Sequence, residues 1–178
     1  MLERTFKVLF VGDKAVGKTT LLNRILSNSF KSKHLPEIGA NIAEKDFKFT
    51  NTTVRLLFWD VETTSSNKMG IGKIFADTNA VVSLFDVCNP RTLNIAEKQY
   101  TMVRWIHTPS LWLVGNKIDL TEYRIVDKTE AMKRAEKLKV NYKEISAKTG
   151  ENVKDLLTSV LKDIIEARLK ELKVSLSE

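Results

Sequence analysis

At 178 residues the chain is long enough for one domain with a sizeable core and too short for two ordinary ones. Hydrophobic residues at 43% and charged residues at 29% exclude a disordered chain, and no apolar run reaches the roughly 18 residues that a membrane span needs. The net charge of +7 leaves room for an acidic partner, but basic and acidic residues interleave, as in KTEAMKRAEKLK, the pattern of a solvated helix face, so nucleic-acid binding is not expected.

The opening MLERTFKVLF lacks the long apolar region and cleavage site of a signal peptide. Residues 6–11 (FKVLFV) read as a buried strand ending at Gly12. After a glycine-rich turn, Leu21, Leu22, Ile25 and Leu26 fall on one face of a helix. Residues 28–41 are polar and aperiodic, hence loop, and residues 42–50 and 53–59 form a hairpin turning at Asn51-Thr52. A second aperiodic stretch covers residues 61–75, and residues 80–86 (AVVSLFD) are a buried strand. Cys88, the only cysteine, follows that strand as a buried structural thiol; no internal disulfide is possible, which points to a reducing compartment. Helical patterns over 91–106, 127–138 and 152–172 alternate with strands over 111–115 and 140–145. The last helix turns Leu156, Leu157, Val160, Leu161, Ile164 and Ile165 toward the core. Strands alternating with helices predict an α/β domain with a mostly parallel sheet that binds ligands at the carboxyl ends of its strands. Residues 1–178 read as a single domain with 152–172 as its C-terminal helix.

Gly12-Asp13-Lys14-Ala15-Val16-Gly17-Lys18-Thr19 fits G-x-x-x-x-G-K-[ST] without a mismatch, between a predicted strand and a predicted helix. In such a loop the backbone N–H groups surround phosphates, and the helix that follows adds its positive end. Gly17 permits close approach, Lys18 brings a cation to the outer phosphates, Thr19 offers a hydroxyl to Mg²⁺, and Thr20 continues the cradle. Asn116-Lys117-Ile118-Asp119 follows a later strand. The Asp119 carboxylate can accept from both N1–H and the 2-amino group of guanine, whereas adenine would leave it unpaired, which disfavours an ATPase. Lys117 can lie along the base plane, Asn116 can tie this loop to the phosphate loop, and Leu120 borders the same pocket. Ser146-Ala147-Lys148 opens the last helix; it is either a reader of the guanine carbonyl oxygen through its backbone N–H groups or a simple capping turn. Phe30 either stacks on the base or anchors its loop.

With GDKAVGKT, WD, NKID and SAKTGENV in this order, the chain resembles a Ras-superfamily small GTPase over roughly residues 5–172; NKID resembles the Ras and Rab branches, and SAKTGENV and the IG of residues 38–39 tilt it toward the Rab-like branch. The resemblance implies a P-loop NTPase fold of the small G-domain kind, a six-stranded mostly parallel sheet flanked by five helices, binding GTP or GDP with Mg²⁺. It also exposes departures. The family pattern Asp-x-Ala-Gly-Gln reads here Asp60-Val61-Glu62-Thr63-Thr64. Asp60 can still hold Mg²⁺ through a water. Thr63 stands where a glycine reports the γ-phosphate, and Thr64 where a glutamine orients the attacking water, leaving Thr64 and Lys18 as the candidate catalytic residues. Glu37 replaces the threonine that binds Mg²⁺ and the γ-phosphate; its carboxylate can bind the metal but repels the phosphate. Asn41 and Ile42 replace the Asp-Phe usual in Rab-like chains. Lys14 either obstructs an incoming arginine finger, supplies its own cation, or stays in solvent.

The expectation is a guanine-nucleotide-binding Rab-like GTPase with slow hydrolysis and impaired switching, acting in trafficking or signalling. The alternative is a pseudo-GTPase that holds GDP or GTP as a structural ligand. Its effectors and exchange factors are not legible. The tail KVSLSE and Leu2 offer no lipid anchor, so a cytoplasmic monomer is expected, peripheral to membranes only through a partner.

Overall fold

The computed structural model describes residues 2–26, 32–35, 40–61, 75, 77–103 and 110–175. In chain order the elements are β1 (Leu2–Gly12), α1 (Lys18–Leu26), β2 (Ser32–Leu35), β3 (Ala40–Lys48), β4 (Thr52–Val61) and β5 (Ala80–Asp86). They continue with α2 (Pro90–Val103), β6 (Ser110–Asn116), a 3₁₀ turn (Thr121–Tyr123), α3 (Lys128–Leu138), β7 (Asn141–Ile145) and α4 (Val153–Ser175).

One sheet runs β2-β3-β4-β1-β5-β6-β7. The β1–β4, β1–β5, β5–β6 and β6–β7 pairs are parallel; β3 is antiparallel to both β2 and β4. The six strands expected from the sequence are present. A seventh, β2, comes from the stretch read as loop. Its SKHL sequence carries no alternation, so the strand is made by pairing with the edge of β3, Ser32 opposite Ala43 and Leu35 opposite Ala40. The described residues carry four α-helices; the fifth that the resemblance implies is not among them. The hairpin turn also differs by one residue. Lys48 pairs with Thr53 and Phe49 N–H donates to Thr52 O at 2.8 Å, so the turn is Thr50-Asn51 and β-branched Thr52 joins the strand.

The sheet is buried on both sides. Phe6, Val8, Phe10, Val54, Leu56 and Phe58 face one core with Leu21, Leu22 and Ile25 of α1 and Leu156, Val160, Leu161 and Ile164 of α4. Leu9, Val11, Val81, Phe85 and Leu113 face a second with Leu93, Ala96 and Tyr100 of α2 and Ala131 and Ala135 of α3. Such a doubly covered parallel sheet needs continuously apolar strands, which AVVSLFD supplies. Pro90, at the first helical position, opens α2 while the Asn89 side chain accepts from Arg91 N. Asp127 caps α3 by accepting from Thr129 N at 2.7 Å and Glu130 N at 3.2 Å. No described helix is long and apolar enough to cross a membrane.

The order of strands reverses between β1 and β5, so the crevice outside their carboxyl ends is the natural ligand position. Register lines up that edge: Gly12 lies opposite Leu84, Asp86 opposite Asn116, and Asn116 opposite Ile145.

Candidate functional site

β1 ends at Gly12 with φ +146°, and a Cβ there would meet the Leu84 carbonyl oxygen at 2.5 Å. The chain then makes a turn in which Ala15 and Gly17 also have positive φ (59° and 99°) before α1 begins at Lys18. A Cβ on Gly17 would overlap Asn116 Nδ2. The loop therefore closes on the β5 backbone at one end and on a side chain of β6 at the other.

Gly12, Asp13, Lys14, Ala15, Gly17, Lys18, Thr19 and Thr20 line a cleft of about 510 Å³, completed by Asp60, Asn41, and by Ile95 and Gln99 from α2. Val16 lies beneath it, fully buried. The Lys18 ammonium donates to Gly12 O at 3.0 Å and Asp13 O at 2.9 Å, inside the loop's own curve. Lys14 is exposed at the mouth. Thr19 Oγ1 donates to Asp60 Oδ2 at 2.6 Å. A hydroxyl and a carboxylate so placed are the hard oxygen donors that suit Mg²⁺. Asn41 is paired across the strands with Asp60, which brings it to the same wall.

Behind the loop, Asn116 is almost wholly buried and bonded at both ends of its amide. Its Nδ2 donates to Val16 O at 2.8 Å and its Oδ1 accepts from Ala147 N at 2.9 Å. One amide side chain thus fastens the loop after β1 to the turn after β7; the sequence implies the reach of Asn116 to the phosphate loop but not to the second turn. Ser146 Oγ donates to Asp119 Oδ1 at 2.6 Å and accepts from Thr149 N at 3.0 Å. Leu120 N closes a turn onto Lys117 O at 3.0 Å. In the turn 146–150, the N–H groups of Ala147, Thr149 and Gly150 bind Asn116, Ser146 Oγ and Ser146 O. Among the described residues, the Lys148 amide is the one of these four that is left over.

Lys117, with φ 71°, pairs its ammonium with Asp86 Oδ2 at 2.6 Å. Asp86 in turn accepts from Cys88 N through Oδ1 at 2.9 Å. Sequence reading missed Asp86. Its signal, an acidic residue ending a strand beside the Asn-Lys strand, was present but unspecific. Arg24 was missed too; it reaches from α1 to the carbonyls of Ala147 and Lys148. Cys88 is half-buried rather than buried, and its thiol is pushed up by desolvation and by Asp86, so it is not poised as a thiolate. Phe30, Glu37, Thr63 and Thr64 lie outside the described residues.

Residues 7–166 match the family model described as Ras family. The chain belongs to the Ras family. It is 32% identical over 160 residues to the Ras-related protein Rab-1 of Theileria parva, covering 88% of this chain and 73% of that protein. It is 31% identical over the same length, with the same coverage, to the Ras-related protein Rab-1 of Theileria annulata. These matches make this Ras-family chain a Rab-like member of the small GTPases, a group that binds guanine nucleotide with Mg²⁺ and hydrolyses GTP.

Proposed function

We propose that this Rab-like protein holds guanine nucleotide with Mg²⁺ across the carboxyl edge of its sheet, hydrolyses GTP slowly, and discriminates GTP from GDP weakly. The observation that carries the reading is the Asn116 tie, because it joins a phosphate-type loop to a base-type turn as one bonded unit. Gly12, Asp13, Lys14, Ala15, Val16, Gly17, Lys18, Thr19 and Thr20 form the phosphate cradle. Asp119 reads N1–H and the 2-amino group, held in place by Ser146. The Lys148 N–H serves the 6-oxo group, and Leu120 and Ala147 border the base.

Thr19 would hold Mg²⁺ through its hydroxyl and Asp60 through a water, and bound Mg²⁺ would neutralise the charge that develops on the transferred phosphoryl group. Lys18 adds its ammonium to the same oxygens once a phosphate competes for it with the Gly12 and Asp13 carbonyls. Water attacks the γ-phosphorus in line, and the Asp119 contact keeps the substrate from sliding out of that line. The family's water-orienting glutamine and its γ-phosphate-sensing glycine and threonine are replaced in this sequence by Thr64, Thr63 and Glu37. Thr64 is shorter than the glutamine it replaces, Thr63 lacks glycine's freedom, and Glu37 repels the phosphate. A ligand pair with little differential affinity for two states moves no equilibrium.

The same three substitutions favour a second reading, a pseudo-GTPase that keeps GDP or GTP as a structural ligand and works through protein contacts at membranes reached by a partner. Single-turnover GTP hydrolysis, with the co-purified nucleotide identified by chromatography, separates the two. Slow turnover supports the enzyme. Retained nucleotide with no turnover supports the binding module. Absence of guanine nucleotide affinity overturns both.

A further inference from the structure

Arg24 sits on α1, one turn after the phosphate-loop threonines, and belongs to none of the sequence motifs. Its Nε donates to the Ala147 carbonyl at 3.2 Å and its Nη2 to the Lys148 carbonyl. A guanidinium is planar and always charged, so two adjacent carbonyls gripped by one fork are fixed in direction as well as in place. Gly150, with φ +91°, brings the same turn against the stem: a Cβ there would lie 3.6 Å from Arg24 Cδ.

Peptide units are planar and trans, so a carbonyl and the N–H of the same unit point opposite ways. The unit whose oxygen is Ala147 O carries the Lys148 N–H. Holding that oxygen toward α1 turns the Lys148 N–H to the opposite side of the turn. The unit whose oxygen is Lys148 O carries the Thr149 N–H, which donates to Ser146 Oγ at 3.0 Å. Ser146 Oγ donates onward to Asp119 Oδ1 at 2.6 Å. One guanidinium thus governs two peptide planes, one bearing the left-over amide and the other buttressing the carboxylate.

We infer that Arg24 is a positioning residue for base recognition, aiming the Lys148 N–H at the 6-oxo group of guanine and, through Ser146, setting Asp119 for N1–H and the 2-amino group. The inference rests on the guanine-nucleotide reading above. Because the first turn of α1 closes the phosphate cradle, Arg24 is a second link, beside Asn116, between the two halves of the site. A purely structural role would anchor α1 and leave base selectivity untouched.

The test uses the full chain with Arg24→Met and Arg24→Lys, measuring dissociation of GDP, 6-thio-GDP and IDP alongside thermal unfolding. The thio analogue weakens only the 6-position acceptor, and IDP lacks only the 2-amino group. Loss of charge-assisted hydrogen bonds at a partly exposed position predicts that Arg24→Met releases GDP about tenfold faster. The preference for GDP over each analogue contracts, and Arg24→Lys, able to reach one carbonyl, recovers part of both. If all three nucleotides leave faster by one common factor, or if the preferences match wild type, the inference is overturned and the guanine reading stands. If wild type itself shows no preference for GDP, the guanine reading fails, and the inference with it. Should Arg24→Met not fold, the Arg24→Lys preferences decide in the same way.

Discussion

Replacing Asn116 by alanine removes a side chain that is 2% exposed and leaves two buried groups without partners, the Val16 carbonyl and the Ala147 N–H. Each orphaned group costs about 1–3 kcal/mol, so the loss is about 4 kcal/mol before any relaxation. For a chain of this size a melting temperature moves by about 2–4 °C per kcal/mol, which predicts a fall of about 8–16 °C. Asn116→Asp is the informative companion. It keeps the acceptor for Ala147 N–H but sets a carboxylate oxygen against Val16 O, so its folded-state pKa lies above its unfolded one. An acid shifted upward binds more protons when folded, so its relative stability is fully present below the unfolded value and is lost as pH rises through the folded one. Measured against wild type at each pH by differential scanning fluorimetry, Asn116→Asp should therefore recover toward acid pH, as a protonated oxygen donates to Val16 O. Asn116→Ala should show no such recovery. A drop under about 2 °C for the alanine variant, or parallel pH curves for the two, would refute the tie as an energetic link.

Gly17→Ala asks an L-residue to adopt φ +99° and pushes its Cβ into Asn116 Nδ2, so it should destabilise by about 2–4 kcal/mol from strain and the broken Asn116 bond, read by urea unfolding. Ser146→Ala takes the 2.6 Å donor from Asp119 and should weaken GDP about tenfold, with the GDP-over-IDP preference falling, in titration calorimetry. The Asp127 carboxyl is held below the usual range by the Glu130 and Thr129 backbone N–H groups. A depressed acid contributes stability above its unfolded pKa and loses it as pH falls through the folded one, so the advantage of wild type over Asp127→Asn should be full at neutral pH and fade below about pH 4. Restoring the γ-phosphate parts with Thr63→Gly and Thr64→Gln should raise single-turnover GTP hydrolysis while leaving GDP retention unchanged; an unchanged rate would mean that slow turnover has another cause.

What could be read from the sequence was what is locally determined. Short-range patterns suffice for AVVSLFD as a doubly buried strand, for the α4 stripe from Leu156 to Ile165, with Ile165 only partly buried, and for the loop that needs glycine at positions 12 and 17. The edge strand Ser32–Leu35 was not legible because its partner makes it a strand, and the hairpin turn was misplaced by one residue because cross-strand register is a property of two segments. Within the site, the reach of Asn116 to the phosphate loop was foreseen from chemistry, but not its bond to Ala147. The pairings Lys117–Asp86 and Arg24 with the turn after β7 were not, since each joins residues far apart in sequence through geometry that no motif spells out.

That division bears on how the site works. The parts proposed to hold nucleotide form a closed set of bonds: the loop after β1 to Asn116, Asn116 to the turn after β7, that turn to Arg24 on α1, and α1 back to the loop. Each link is anchored in the sheet or in a helix packed on it, all among the described residues. Of the departures from the family pattern, Glu37, Thr63 and Thr64 belong to none of these links, whereas Asn41, also a departure, lines the cleft from β3. In the proposed reading holding and sensing are carried by different stretches of chain, so weak sensing would leave the bonds of the holding set intact.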